Sequence, residues 1–142
     1  MLHDTELLQY VYKTADMGCK GIESVLDYTQ SADLREKLTA QENEYQEIRG
    51  KALHLLEKRN EQPAGAGPIA KASADLMAAG EMMVERTDSK IAEMTIQGNQ
   101  TGVNKTIKHL HSYSGQDDTI RSLTEKLLAT EESNAEQLKS FL

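Results

Sequence analysis

The stretch PAGAGP, residues 63–68, holds both prolines of the chain and two of its nine glycines. Proline removes a backbone donor and glycine costs conformational entropy, so a helix entering this stretch ends there. Every other segment is free of proline, and its pattern can be read outward from this break.

Toward the N-terminus, Leu8, Val11, Ala15, Gly18, Ile22, Val25 and Thr29 recur at alternating spacings of three and four. Leu7, Tyr12, Cys19 and Leu26 widen the stripe. This spacing predicts a helix over 4–30 that buries one face, with Asp4 as its N-cap. Leu34, Leu38, Gln41, Tyr45, Ile48, Ala52 and Leu55 predict a second helix over 33–59. Asp33 and Glu36 resemble a capping box at its start, and Lys58 and Arg59 suit the negative end of its dipole.

Toward the C-terminus, Pro68 suits the first turn of a short helix over about 69–86. Its stripe is Ile69, Ala72, Ser73, Leu76, Met77, Gly80, Met83 and Val84. A helix running unbroken from Ile69 to Tyr113 would span about 67 Å, against about 40 Å for its neighbours. A break near Thr87–Asp88 is therefore preferred, leaving a long helix over 88–113. The rival break is GNQTG, residues 98–102. In the preferred reading, Gly98 and Gly102 share one face and admit a close neighbour. The last helix covers 117–141, capped by Asp117 or Asp118. Ile120, Leu123, Leu127, Asn134, Leu138 and Phe141 lie on its apolar face, with Glu131 beside them.

Four long helices thus form two tightly turned pairs joined by about 28 residues that carry the short fifth helix. The expected fold is all-α: a ferritin-like four-helix bundle with a long crossover, in a single domain spanning 1–142. Composition agrees. In 142 residues, hydrophobic residues make up 38% and charged residues 27%, enough for one folded core. Aromatics are only 4%, which favours helix-on-helix packing over sheets. A net charge of -7 argues against nucleic acid as a partner. No apolar run reaches the roughly 20 residues that span a bilayer. The start MLHDTELLQY has no signal-peptide pattern, and the single Cys19 suits a reducing compartment, so a cytoplasmic location is expected.

The stretches IAEMTIQGNQTGVNKTIKHLHSY (91–113) and LTEKLLATEESNAEQLKSFL (123–142) resemble the ferritin-like superfamily. The likeness is to small bacterial bundles of uncharacterised function with spore-coat-type relatives. It implies a Glu-x-x-His pair on two helices and one further Glu from each of the others, gathered around a metal pair. Carried over, the last helix gives Glu131-x-x-Asn134, with Asn in the place of His. The second helix gives Gln41-x-x-Glu44. Asn99 stands where an acid is expected, and Glu23 is the nearest residue on the first helix. The resemblance therefore implies an incomplete ligand set for iron or another divalent metal.

At 100° per residue, Glu131 and Asn134 fall within about 45° of the mean apolar direction of their helix. A buried, unpaired carboxylate is costly, so Glu131 needs a partner, a shifted pKa or an edge position. A polar layer of Gln41, Glu131 and Asn134 is the preferred solution, and such layers fix register. A degenerate metal site is the alternative. His109 and His111 point about 160° apart on a helix and cannot chelate together. With His3 and His54 they are expected at the surface or rim. The methionines suit core packing, and Cys19 a buried apolar site. No phosphate loop, nucleophile elbow or zinc pattern is present.

Three functions remain open. The first is a non-catalytic structural or protein-interaction bundle without cofactor, paired as a homodimer through Gly80, Gly98 and Gly102. The second is a protein with a weak or relocated metal site. The third is a bundle that binds a small ligand between its helices.

Overall fold

A computed structural model describes residues 1–64 and 86–142. They form four α-helices: α1 (Asp4–Leu26), α2 (Ala32–Lys58), α3 (Asp88–Ser112) and α4 (Asp118–Leu138), with a closing 3₁₀ turn at Lys139–Phe141. The short helix expected over 69–86 falls almost wholly in 65–85, outside the described residues.

The helix starts follow from local donors and acceptors. Ser31, not Asp33, caps α2: its Oγ accepts from the Leu34 N–H at 3.2 Å. His3 occupies the N-cap position of α1, so Asp4 is already helical. Thr87 caps α3 through the Lys90 N–H at 3.1 Å, which places the helix start at Asp88. The helix then runs unbroken through Gly98 and Gly102. Asp117 caps α4. At the end of α2, Asn60 takes a left-handed φ of 57° and the Glu61 N–H returns to the Leu56 carbonyl at 2.9 Å.

The chain direction identifies the topology. The α1–α2 turn lies against the start of α3, because the Asp88 carboxylate accepts from the Gln30 and Ser31 N–H groups at 2.8 and 2.9 Å. At the opposite end, Arg59 just beyond α2 bonds Asp117 at 2.9 Å and lies 3.6 Å from Asp4. The Tyr113 hydroxyl also donates to Asp4 at 2.6 Å. Leu2 brackets the α3–α4 turn through backbone bonds with Ser112 and Ser114. Helices α2 and α3 are therefore parallel, and each tight pair is antiparallel. Only a connection running the length of the bundle gives this order, so the all-α four-helix bundle with a long crossover is the observed fold. After α2 the chain turns onto α1, where Gln9 holds the Gln62 carbonyl and the Ala64 N–H.

The core is aliphatic. Leu7, Leu8, Val11, Ala15, Leu34, Leu38, Leu56, Ile91, Ile120, Leu127 and Leu138 are fully or almost fully buried. Leu56 takes the place expected for Leu55, because the true helical repeat drifts away from a strict three-four spacing. Cys19 is buried, and that burial pushes its thiol up to about 11. No helix among the described residues is long and apolar enough to cross a membrane.

The Asp88 carboxylate fastens the first hairpin to the second. Asp88→Ala is expected to cost about 1–2 kcal/mol. In a urea titration the midpoint falls while the slope is unchanged.

Candidate functional site

All four helices bring polar side chains into one stretch of the core, about two turns of α3 long. On α4, Glu131 and Asn134 are three apart and share a face; they are 2% and 0% exposed. On α3, Asn99, Gly102 and Thr106 follow at spacings of three and four. Gln41 and Tyr45 come from α2, and Tyr10 from α1. Gln41, Asn99 and Thr106 are buried as deeply as the aliphatic core around them.

Glu131 is held on both oxygens' sides. Thr106 Oγ1 donates to Oε1 at 2.7 Å. The same Thr106 oxygen lies 2.8 Å from the Tyr10 hydroxyl. A threonine has one hydroxyl hydrogen, and it is committed to Glu131, so Tyr10 is the donor to Thr106. The chain then runs Tyr10 to Thr106 to Glu131. Tyr10 is itself stacked on His109, with ring centroids 3.6 Å apart. The second oxygen, Oε2, occupies the space where a side chain at 102 would begin, which only glycine leaves open.

Burial pushes the Glu131 carboxyl up to about 7, against the Thr106 hydrogen bond and with a small contribution from neighbouring Glu132. Burial also raises the Tyr10 phenol, opposed by hydrogen bonding to Thr106 and Thr14. Tyr45 is raised too, by burial first and by the Glu131 charge second, while the adjoining Asn134 carboxamide opposes.

The expected layer of Gln41, Glu131 and Asn134 is buried but is not one network. Glu131 pairs with Thr106 instead. Gln41 Nε2 makes long bonds to the Asn134 backbone carbonyl, 3.4 Å, and to Gln137 Oε1, 3.3 Å. The Tyr45 hydroxyl donates to Asn99 Oδ1 at 3.1 Å. Four deeply buried atoms then have no hydrogen-bond partner: Gln41 Oε1, Asn99 Nδ2, and both Nδ2 and Oδ1 of Asn134.

The six candidate ligands differ in burial. Gln41, Asn99, Glu131 and Asn134 enter the core, Glu44 is half-buried, and Glu23 is exposed on α1. Glu23 follows Ile22 directly, so it lies about 100° from the buried stripe. It sits beside Glu42, whose carboxyl is raised by burial and then by this contact. Among the described residues no three His, Cys, Asp or Glu side chains form a group that could hold a metal ion. Thr106 and Tyr10 were missed as partners. The available signal was the seven-residue step from Asn99 to Thr106, which puts both on one face.

A cavity of about 160 Å³ adjoins this stretch, between α1 and α3. Met17 and Gly18 line one side, Met94 and Gly98 the other, and Asn99 and Glu131 also line it. Tyr45 reaches it from α2 across Gly18, where a Cβ would lie 2.7 Å from the ring. Gly98 is exposed and marks the mouth, whereas Glu131 lies at the buried end. A wider groove of about 880 Å³ runs between α2 and α4, past Leu55 and Leu123. None of the four unpartnered atoms belongs to a residue lining it.

A crystal structure of a DUF305 fragment from Deinococcus radiodurans matches 96% of this chain and 93% of that one, with a TM-score of 0.77 and 12% identity. The fold is similar to that of the DUF305 fragment. At this identity the likeness concerns the fold alone. No protein-family model matches the chain, and no curated protein does. The resemblance to ferritin-like and spore-coat-type bundles is thereby corrected: the structural match is to a DUF305 fragment, and no other comparison supports those relatives. The physical reason is that the residues that suggested it, an apolar stripe interrupted by Glu131 and Asn134, record only helical phase. Any bundle with buried polar groups shares that pattern.

The Gly102 fit yields a signed prediction. Gly102→Ala forces the Glu131 carboxylate to move and is expected to cost about 1–3 kcal/mol. A Cβ at Gly50, also within a helix, meets nothing within 4 Å. Gly50→Ala should instead gain up to about 1 kcal/mol from helix propensity. Paired urea unfolding curves check both signs.

Proposed function

We propose that this bundle binds a small polar molecule in the cavity between α1 and α3. One observation carries the reading: Glu131 and Asn99, both almost fully buried, line the inner end of the cavity, and the Asn99 Nδ2 donor just behind its wall has no hydrogen-bond partner. A core shaped for packing alone pairs or replaces such a group, because an unsatisfied buried amide costs about 1–3 kcal/mol. A polar molecule in the cavity supplies the missing acceptor.

The sequence reading of a ligand-binding bundle anticipates a large apolar cavity. The cavity here is smaller and has one polar end. Its volume is close to that of an engineered cavity that accepts benzene, so it suits a molecule of about six non-hydrogen atoms. The structural or interaction reading draws less from the geometry. Gly102, one of the glycines assigned to a homodimer face, is already filled by Glu131 of the same chain.

The test uses three probes of similar size: 2-aminoethanol, ethylene glycol and glycolate. Each is titrated into ¹⁵N-labelled protein while the Gly98 and Gly102 amide resonances are followed. The expected result is saturable shifts at these amides with at least one probe. In Gly98→Leu, where a Cβ meets nothing within 4 Å, the larger side chain is expected to close the mouth, so the shift at the Gly102 amide vanishes. If no probe shifts these amides in the wild-type protein, the reading is wrong.

A further inference from the structure

The chemistry of the cavity narrows what it takes. Among its described lining residues Glu131 alone is ionisable to a carboxylate, and there is no Lys, Arg or His. An anionic ligand would place a second negative charge beside a buried carboxyl with nothing to compensate either, which is the costliest arrangement in a low-dielectric site. A neutral ligand can donate a hydrogen bond to the Glu131 carboxylate but leaves its charge uncompensated. A cation compensates it and forms a charge-assisted hydrogen bond, about twice as strong as a neutral one.

The second polar contact is fixed by register. Oε2 of Glu131 sits against Gly102, and Asn99 lies three residues earlier on the same helix. Three residues, about 4.5 Å of rise, separate the Gly102 level, where the carboxyl sits, from Asn99. Asn99 Oδ1 accepts from the Tyr45 hydroxyl with one lone pair to spare, and Nδ2 is an unused donor, so this end suits a small polar group that both donates and accepts. The ligand must therefore present a positively charged donor at one end, with such a polar group a few bonds away. The remaining walls include the side chains of Met17 and Met94 and the Cα atoms of Gly18 and Gly98. They give a short carbon chain an apolar, polarisable surface without demanding further hydrogen bonds.

From this we infer that the cavity binds a small primary amine carrying a nearby hydroxyl, with the ammonium on Glu131 and the hydroxyl toward Asn99. The inference rests on the ligand-binding reading above and adds the charge class. The groups facing Glu131 are Thr106 from α3, Tyr45 from α2, Tyr10 from α1 through Thr106, and Glu132 on its own helix. None carries a positive charge that would already neutralise it.

The same three probes separate this inference from the reading beneath it. At pH 8, 2-aminoethanol is expected to bind the wild-type protein at least about tenfold tighter than ethylene glycol, the ratio a charge-assisted bond supplies. Glycolate is expected to bind weakest. In the near-isosteric Glu131→Gln variant the first two probes should bind within about twofold of each other, because the amine loses its charged partner. Equal binding of 2-aminoethanol and ethylene glycol in the wild-type protein would overturn the amine class and leave the ligand site standing. So would an amine preference that survives Glu131→Gln. Failure of all three probes to shift the Gly98 and Gly102 amides overturns the site itself. The wild-type probe comparison requires no variant, so a folding defect in Glu131→Gln does not remove the test.

Discussion

Glu131 Oε1 accepts a hydrogen bond from Thr106, while Oε2 fills the space that Gly102 leaves by having no Cβ. This contact joins α3 to α4 in the middle of the bundle, at a depth where a free carboxylate is not tolerated. Its consequences spread outward. Thr106 must spend its one hydrogen on Glu131, so Tyr10 becomes a donor and α1 is drawn into the same chain. A Cβ at position 102 would require the Glu131 carboxylate to shift. The cavity acquires a polar end in a core that is otherwise aliphatic.

The ends of the bundle are fastened by different means. At one end the Asp88 carboxylate clasps the α1–α2 turn; at the other Arg59, Asp4, Tyr113 and Asp117 form a polar cluster around the α3–α4 turn. These groups are partly exposed, and their ion pairs are worth little individually. They set which turns meet and hence the parallel course of α2 and α3. The aliphatic stripes supply most of the free energy, and the polar groups select the arrangement.

Helical phase was legible in the sequence because it is a local property. The stripes from Leu8 to Thr29 and from Leu34 to Ala52 name the buried faces, and phase alone put Glu131, Asn134 and Gln41 inside. Caps were less legible. Ser31 and Asp33 are both good N-caps, and the choice depends on where the turn from α1 releases the chain. Partners were not legible at all. Whether Glu131 meets Gln41 or Thr106 depends on the axial offset between helices, which periodicity does not encode. Glu23 and Glu44 entered the candidate list only through a family pattern, and their own phase leaves Glu23 exposed and Glu44 half-buried.

The account stands on Glu131 being held protonated more readily in the folded chain than in the unfolded one. Its folded value of about 7 lies above the ordinary 4.5. Between those values the folded state binds more protons, so stability must fall as pH rises through that window and level off above it. The most direct measurement is the unfolding free energy of the wild-type protein minus that of Glu131→Gln, from urea titrations between pH 4 and pH 8. The difference is predicted to drop by about 2–3 kcal/mol from pH 4.5 to pH 7. A difference that stays flat, or that grows with pH, would contradict the buried, raised carboxyl on which the site is built.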